Sequence, residues 1–205
     1  MKKNNFLERF TGSNVQSFPL INQLGAKDIV IDCGANIGDV TSAYLKKGCT
    51  VIAFEPNPHC IDFMKRRFKG RKKLFLINKA VSDKVGVSRL FNHKFQNGIE
   101  WSSGSSLEAK KGNIDTDKYF EIETLRLSDY IRHLDREINL LKIDIECHED
   151  IVLLDLIQSD AFKRINYAIV EVHDVKYDFM KPRIQKLKKI IASNNLEEKI
   201  DLTWH

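Results

Sequence analysis

The sequence predicts an α/β fold built on a mostly parallel central sheet with helices on both faces. Three observations carry that expectation. Short apolar runs rich in Ile and Val read as strands: DIVIDCG (28–34), TVIAFEP (50–56), LFLINKAVS (74–82), INLLKIDIE (138–146) and INYAIVEVH (165–173). Apolar stripes at helical spacing lie between or after them, namely Ile37, Val40 and Tyr44, then Ile61, Met64 and Phe68, then Met180, Ile184, Leu187 and Ile191. Strands alternating with helices of this length imply βαβ units, which cover a parallel sheet on both sides.

Taken in order, residues 1–27 read as an extension ahead of the first strand, and MKKNNFLERF lacks the apolar h-region of a signal peptide. The first strand runs through a turn with Gly34 and Gly38 into a helix, and the second ends in FEP. Asn57 then caps the next helix with Pro58 at its first position. Residues 83–126 are less regular. GVSRLFN and YFEIETLR alternate apolar and polar residues as edge strands do, around a Gly- and Ser-rich SSGSSLEAKKGN that reads as a mobile loop. LLKIDIECHED ends a hydrophobic strand in carboxylates, with His148, Glu149 and Asp150 starting a helix where acids complement the dipole.

A chain of 205 residues fits one domain over 1–205, with 42% hydrophobic and 30% charged residues typical of a soluble globule. Much of the net charge of +5 comes from KRRFKGRKK (65–73), which reads as a solvated helix end rather than a nucleic-acid site. Cys33, Cys49, Cys60 and Cys147 show no CxxC spacing, so reduced thiols in a cytoplasmic protein are expected. No apolar stretch approaches the ~20 residues of a membrane span.

The turn VIDCGANIGDVT (30–41) offers free N–H groups and close backbone approach to a ligand. Glu55 stands at a strand end 17 residues beyond Gly38, where a carboxylate accepts both hydroxyls of a ribose. Two cofactor classes compete. The turn lacks the G-x-G-x-x-G triplet that holds a dinucleotide pyrophosphate, which disfavours an NAD(P)-dependent oxidoreductase. Asp32 beside the turn would repel pyrophosphate but suits an amino acid's ammonium group, and S-adenosylmethionine carries that ammonium and a ribose with no phosphate.

VIDCGANIGDVT, VIAFEPNP, NKAVSD, IETLRLSDYI, LLKIDIECHE and IVEVH occur in the order seen in the FkbM family of S-adenosylmethionine-dependent methyltransferases, which the chain resembles over residues 28–173. The resemblance implies a Rossmann-like class I methyltransferase fold and O-methylation of a hydroxyl on a sugar or other small metabolite. It further implies that Asp32, Gly34, Asn36 and Gly38 meet the methionine end of the cofactor, Glu55 the ribose, and Ala80 with Val81 the adenine. Cys147 departs from the glycine common in the family, and EEKIDLTWH supplies one strand where the fold closes with a hairpin, so a shortened C-terminal hairpin is expected.

Ligands of parallel α/β sheets sit beyond the carboxyl ends of the strands. By the period-two rule Asp144 and Glu146 share a face of their strand, and Glu171 and His173 share a face of the next. Methyl transfer to an alcohol needs alignment and somewhere for the proton to go. His173 is the expected base because imidazole titrates near neutral pH, with Asp144 and Glu146 binding acceptor hydroxyls or orienting it. The bland alternative is a strand-end histidine with the acids paired to Lys142. No ligand spacing demands a metal, so none is expected. A nonenzymatic cofactor- or nucleic-acid-binding module is the remaining alternative, and the NPPY-type motif of amino-methylating nucleic-acid enzymes is absent.

Overall fold

The computed structural model describes residues 21–204. Most of the expected N-terminal extension, residues 1–20, and His205 lie outside the described residues. Six strands form the central sheet: β1 (Ile29–Cys33), β2 (Thr50–Phe54), β3 (Leu74–Ile77), β7 (Leu140–Ile143), β8 (Ala168–Val170) and β9 (Ile200–Asp201). Their order is β3-β2-β1-β7-β8-β9, and all five pairings are parallel. This is a doubly wound order, in which the chain departs from β1 first toward β3 and later toward β9. The switch point lies between β1 and β7, and it is there that the expected cofactor turn and the acidic strand end meet.

Each strand of the sheet interior sends alternate residues to opposite faces. Ile31, Cys33, Ile52, Phe54, Leu141, Ile143 and Val170 pack with α3 (Leu127–Leu134), α4 (Glu149–Gln158) and α5 (Lys181–Ser193). Val30, Val51, Ala53, Leu140 and Ile169 pack on the other face with α1 (Asp39–Lys46) and α2 (Pro58–Arg67). The helices begin where the sequence places them. Asn57 accepts a hydrogen bond from the His59 N–H at 3.0 Å with Pro58 in the first turn, and α4 opens on Glu149 and Asp150.

Three features differ from expectation. LFLINKAVS is two strands, because Asn78 turns back to donate to the carbonyls of Glu55 (2.9 Å) and Pro56 (3.0 Å). The second piece, β4 (Ala80–Ser82), leaves the main sheet and joins β5 (Gly86–His93) and β6 (Ile114–Arg126) in a separate sheet of order β4-β6-β5. There β6 is the central strand, antiparallel to β5 and parallel to β4, and Ala80, Leu90 and Ile122 supply a small core. At the other end, β9 runs parallel to β8, and no antiparallel hairpin closes the main sheet among the described residues. None of the described helices is long and apolar enough to cross a membrane.

Candidate active site

The end of β1 and the end of β2 build one wall of a pocket at the switch point. The N–H groups of Gly34 and Ala35 both donate to the Phe54 carbonyl, at 3.0 and 3.1 Å, which folds the turn over the tip of β2. Asn36, held at φ +51°, donates its N–H to Glu55 Oε2 at 2.7 Å, and the Asn57 N–H donates to Oε1 at 2.8 Å. Glu55 is therefore fixed from two sides while it lines the pocket with Gly34, Asn36, Ala80 and Val81. Burial pushes its carboxyl up to about 7, against the opposing pull of the two N–H groups. A carboxylate oxygen has two lone pairs, so each can accept a further donor from the pocket side.

Two expected cofactor residues do not line that pocket. The alternation of β1 turns Asp32 toward α1, where it is fully buried. Thr41 Oγ1 donates to Asp32 Oδ2 at 2.6 Å, and Lys142 Nζ stands 3.3 Å from Oδ1. Lys142 also donates to the carbonyls of Cys33 (3.2 Å) and Gly34 (2.9 Å). Asp32 thus braces the turn from beneath rather than opening onto the cavity. Gly38 precedes α1 at φ +85°, and a Cβ there would stand 2.5 Å from the Phe68 ring, so its role is close packing of α1 on α2.

The opposite wall holds the rim acids. Asp144 and Glu146 both line the pocket, but not as alternate residues of one strand. β7 stops at Ile143, and the chain then turns through Glu146 at φ +60° and Cys147 at φ +80°. β8 likewise stops at Val170, short of Glu171 and His173. Turns, not strand periodicity, bring the groups together: His173 Nε2 lies 3.4 Å from Glu146 Oε2 and 3.8 Å from Glu171 Oε1, and its Nδ1 lies 3.1 Å from Glu149 Oε1. His173 is fully buried and meets the pocket through Glu146. Burial pushes its pKa down, but Glu149, Glu146 and Asp144 outweigh burial and hold it above the ordinary value. Asp144 is pushed up to about 7, first by burial and against the pull of Lys142, with the negative charges of Glu171, Glu146 and Glu149 adding to the rise.

Three supporting residues had no clear sequence signal. Glu149, legible only as a dipole partner, is fully buried and accepts from the N–H groups of Ile145 and Cys147, both at 3.1 Å, so one carboxylate pins the rim turn. Lys111 is buried and pairs with Glu146 while donating to the Gly104 carbonyl at 3.0 Å. Ser106 donates to the Glu146 carbonyl from the same segment, and Ser102, Ser105 and Leu107 roof the pocket.

Residues 32–197 match the family model of the methyltransferase FkbM domain. The chain belongs to the FkbM methyltransferase family. With that membership the cofactor is S-adenosylmethionine, as the turn and Glu55 predict. Among curated relatives, the chain is 30% identical over 95 residues to a probable ribosomal RNA small subunit methyltransferase A of Methanococcoides burtonii, covering 38% of this chain and 35% of that protein. It is 37% identical over 46 residues to a chloroplastic ribosomal RNA small subunit methyltransferase of Arabidopsis thaliana, covering 22% of this chain and 13% of that protein. The FkbM chain thus spans about a third or less of the curated relatives it matches. Among solved structures it is similar to the glycopeptide N-methyltransferase MtfA complexed with sinefungin (TM-score 0.38, 12% identity, 75% of this chain and 44% of that one). It is also similar to Aeropyrum pernix fibrillarin with natively bound S-adenosylmethionine (TM-score 0.43, 10% identity, 81% of this chain and 57% of that one).

Proposed function

We propose that this FkbM methyltransferase O-methylates a hydroxyl of a carbohydrate or other small metabolite. One observation carries the reading: a single pocket joins Glu55, Ala80, Val81 and the Gly34–Asn36 turn on one side to Asp144 and Glu146 on the other. The residues fit the cofactor, since Glu55 lines the pocket and keeps lone pairs for ribose hydroxyls beside the two N–H groups that fix it. When bound, S-adenosylmethionine supplies an electrophilic methyl on a cationic sulfur. Glu55 would accept the ribose hydroxyls, the backbone of Ala80 and Val81 would flank adenine, and Gly34 and Asn36 would meet the methionine end. Asp32 and Gly38 support that turn from below.

On the facing wall, Asp144 and Glu146 accept the acceptor's hydroxyl hydrogens, and a rim carboxylate takes the proton as the O–CH3 bond forms. His173 holds Glu146 from behind and is a positioning residue. Several acceptor groups on one rim match a polyhydroxylated ligand, and the Ser102 and Ser105 hydroxyls add to them. A nucleic-acid acceptor is the weaker reading. The basic run spans the last turn of α2 and the loop into the amino end of β3, so it lies toward the opposite end of the strands from the pocket. The four unpaired, buried thiols suit a cytoplasmic setting.

Calorimetry tests the cofactor half: no binding of S-adenosylmethionine or S-adenosylhomocysteine at about millimolar concentration would overturn the reading. Incubation with methyl-labelled cofactor and a host extract tests the acceptor half, and label recovered only in RNA would replace a metabolite acceptor with RNA. His173→Ala is expected to keep cofactor affinity and lose turnover.

A further inference from the structure

We infer that Asp144, Glu146 and His173 form a binding site for one divalent cation of the Mn²⁺ or Zn²⁺ class. One ligand atom from each residue lies within 4.8 Å of the other two. Bonds of ~2.0–2.2 Å to a common ion place ligand atoms up to about 4.4 Å apart, so small side-chain adjustments close the set.

The histidine points to a ligand independently of the acids. His173 is fully buried, and its Nε2 makes no hydrogen bond among the described residues. Glu149 Oε1 stands 3.1 Å from Nδ1, while Nε2 faces Glu146 and the pocket rim. An imidazole with a carboxylate behind one nitrogen and carboxylates before the other is the arrangement of a ligating histidine, whose ring orientation and tautomer are set by the partner behind it.

The surroundings suit a cation as well: the carboxylates of Asp144, Glu146, Glu149 and Glu171 gather around His173 and Lys142. The donor set selects among ions, because oxygen ligands alone suit Mg²⁺ or Ca²⁺ whereas an imidazole with two carboxylates suits Mn²⁺ or Zn²⁺.

The consequence for catalysis rests on the methyltransferase reading; the site itself does not. Asp144 and Glu146 line the pocket, so an ion bound there would take the acceptor's hydroxyl oxygen as a further ligand and lower its pKa. The proton would leave to the second oxygen of Asp144. The oxygen would then bond the methyl carbon as the carbon–sulfur bond breaks and its electron pair stays on sulfur.

Titration of the full chain with Mn²⁺ alone, following loss of the free-ion electron paramagnetic resonance signal, tests the site without cofactor or acceptor. We expect one Mn²⁺ per chain, displaced by Zn²⁺ but not by equimolar Mg²⁺. Glu146→Gln and Asp144→Asn, each confirmed folded by circular dichroism, should weaken uptake at least ~10-fold. No uptake at about millimolar Mn²⁺, uptake unchanged in both variants, or displacement by equimolar Mg²⁺ would overturn the inference. Methyl transfer is not measured, so its failure and that of the metal site are distinguishable.

Discussion

Gly34 and Asp144 meet backbone to backbone: a Cβ on Gly34 would stand 1.8 Å from the Asp144 carbonyl oxygen. The contact joins the two strand ends that flank the switch point, so the pocket's two walls are set against each other by the lack of one side chain. Gly34 also sits at φ +76°. Gly34→Ala should combine a left-handed backbone penalty of ~1–2 kcal/mol with displacement of Asp144, about 3 kcal/mol or more in all. Gly70 is the control, at φ +81° with nothing within 4 Å of a Cβ. Gly70→Ala should lose only ~1 kcal/mol. Thermal unfolding resolves the two at ~2–4 °C per kcal/mol in a chain of this size; equal losses would show that the Gly34–Asp144 contact is relaxed at no cost.

In its proposed role at the ribose, Glu55 should make cofactor binding pH-dependent. Its carboxyl is raised from the ordinary 4.5 to about 7. The empty folded protein thus holds the proton more tightly than the unfolded chain does, and its stability should fall as pH rises from about 4.5 to about 7. Cofactor affinity runs the other way, because ribose hydroxyls donate to the anion. Affinity for S-adenosylmethionine should weaken as pH falls, by about tenfold between pH 8 and pH 6. Calorimetry at pH 6, 7 and 8 measures it, and Glu55→Gln should flatten the profile and weaken binding roughly 10–100-fold.

Lys142 is a buried cation held by Asp32 and Asp144. Burial pushes its pKa down, yet those two carboxylates leave it above the ordinary value, so it stays charged at neutral pH. Lys142→Met strands the fully buried Asp32 without its counter-charge and should destabilise by about 3–5 kcal/mol. The double variant Asp32→Asn with Lys142→Met should recover part of that loss in urea unfolding. A double variant as unstable as the sum of the singles would mean that the pair is not coupled.

Cys147 occupies a glycine's backbone at φ +80° with a fully buried side chain. Cys147→Gly relieves ~1 kcal/mol of left-handed strain and loses ~1 kcal/mol of apolar burial, so stability should change little. Cys147→Val, branched at Cβ, should be clearly less stable than either. Burial also pushes the thiol's pKa up, so alkylation of folded protein by iodoacetamide should be slow until unfolding exposes it.

Most of the fold was legible because burial and periodicity write it directly. The apolar runs of DIVIDCG and TVIAFEP, the Asn57–Pro58 cap and the Glu55 strand end all stand where the sequence puts them. The site was legible in composition and less so in geometry. Asp144, Glu146 and His173 do converge, but through a positive-φ turn at Glu146 and Cys147 and the irregular chain beyond β8, which no pattern of apolar spacing reveals. The break within LFLINKAVS was hidden because both pieces are apolar and only Asn78 and Lys79 separate them. Lys111 was invisible for a different reason: its partner Glu146 lies 35 residues away in sequence, and a lysine among polar neighbours reads as solvated.

The small sheet bears on how such an enzyme changes acceptor. The connection between its strands β5 and β6 supplies the roof through Ser102, Ser105 and Leu107, whereas Glu55 and the glycine turn follow β2 and β1 of the main sheet and Ala80 with Val81 lies in β4. Ser102 also touches the cofactor wall, donating to Asn36 Oδ1 at 3.3 Å, so changes at Ser105 and Leu107 are the ones expected to leave that wall in place. The acceptor can therefore diverge in evolution while the methyl donor stays fixed, and a laboratory library confined to Ser105 and Leu107 should sample new acceptors without first having to rebuild cofactor binding.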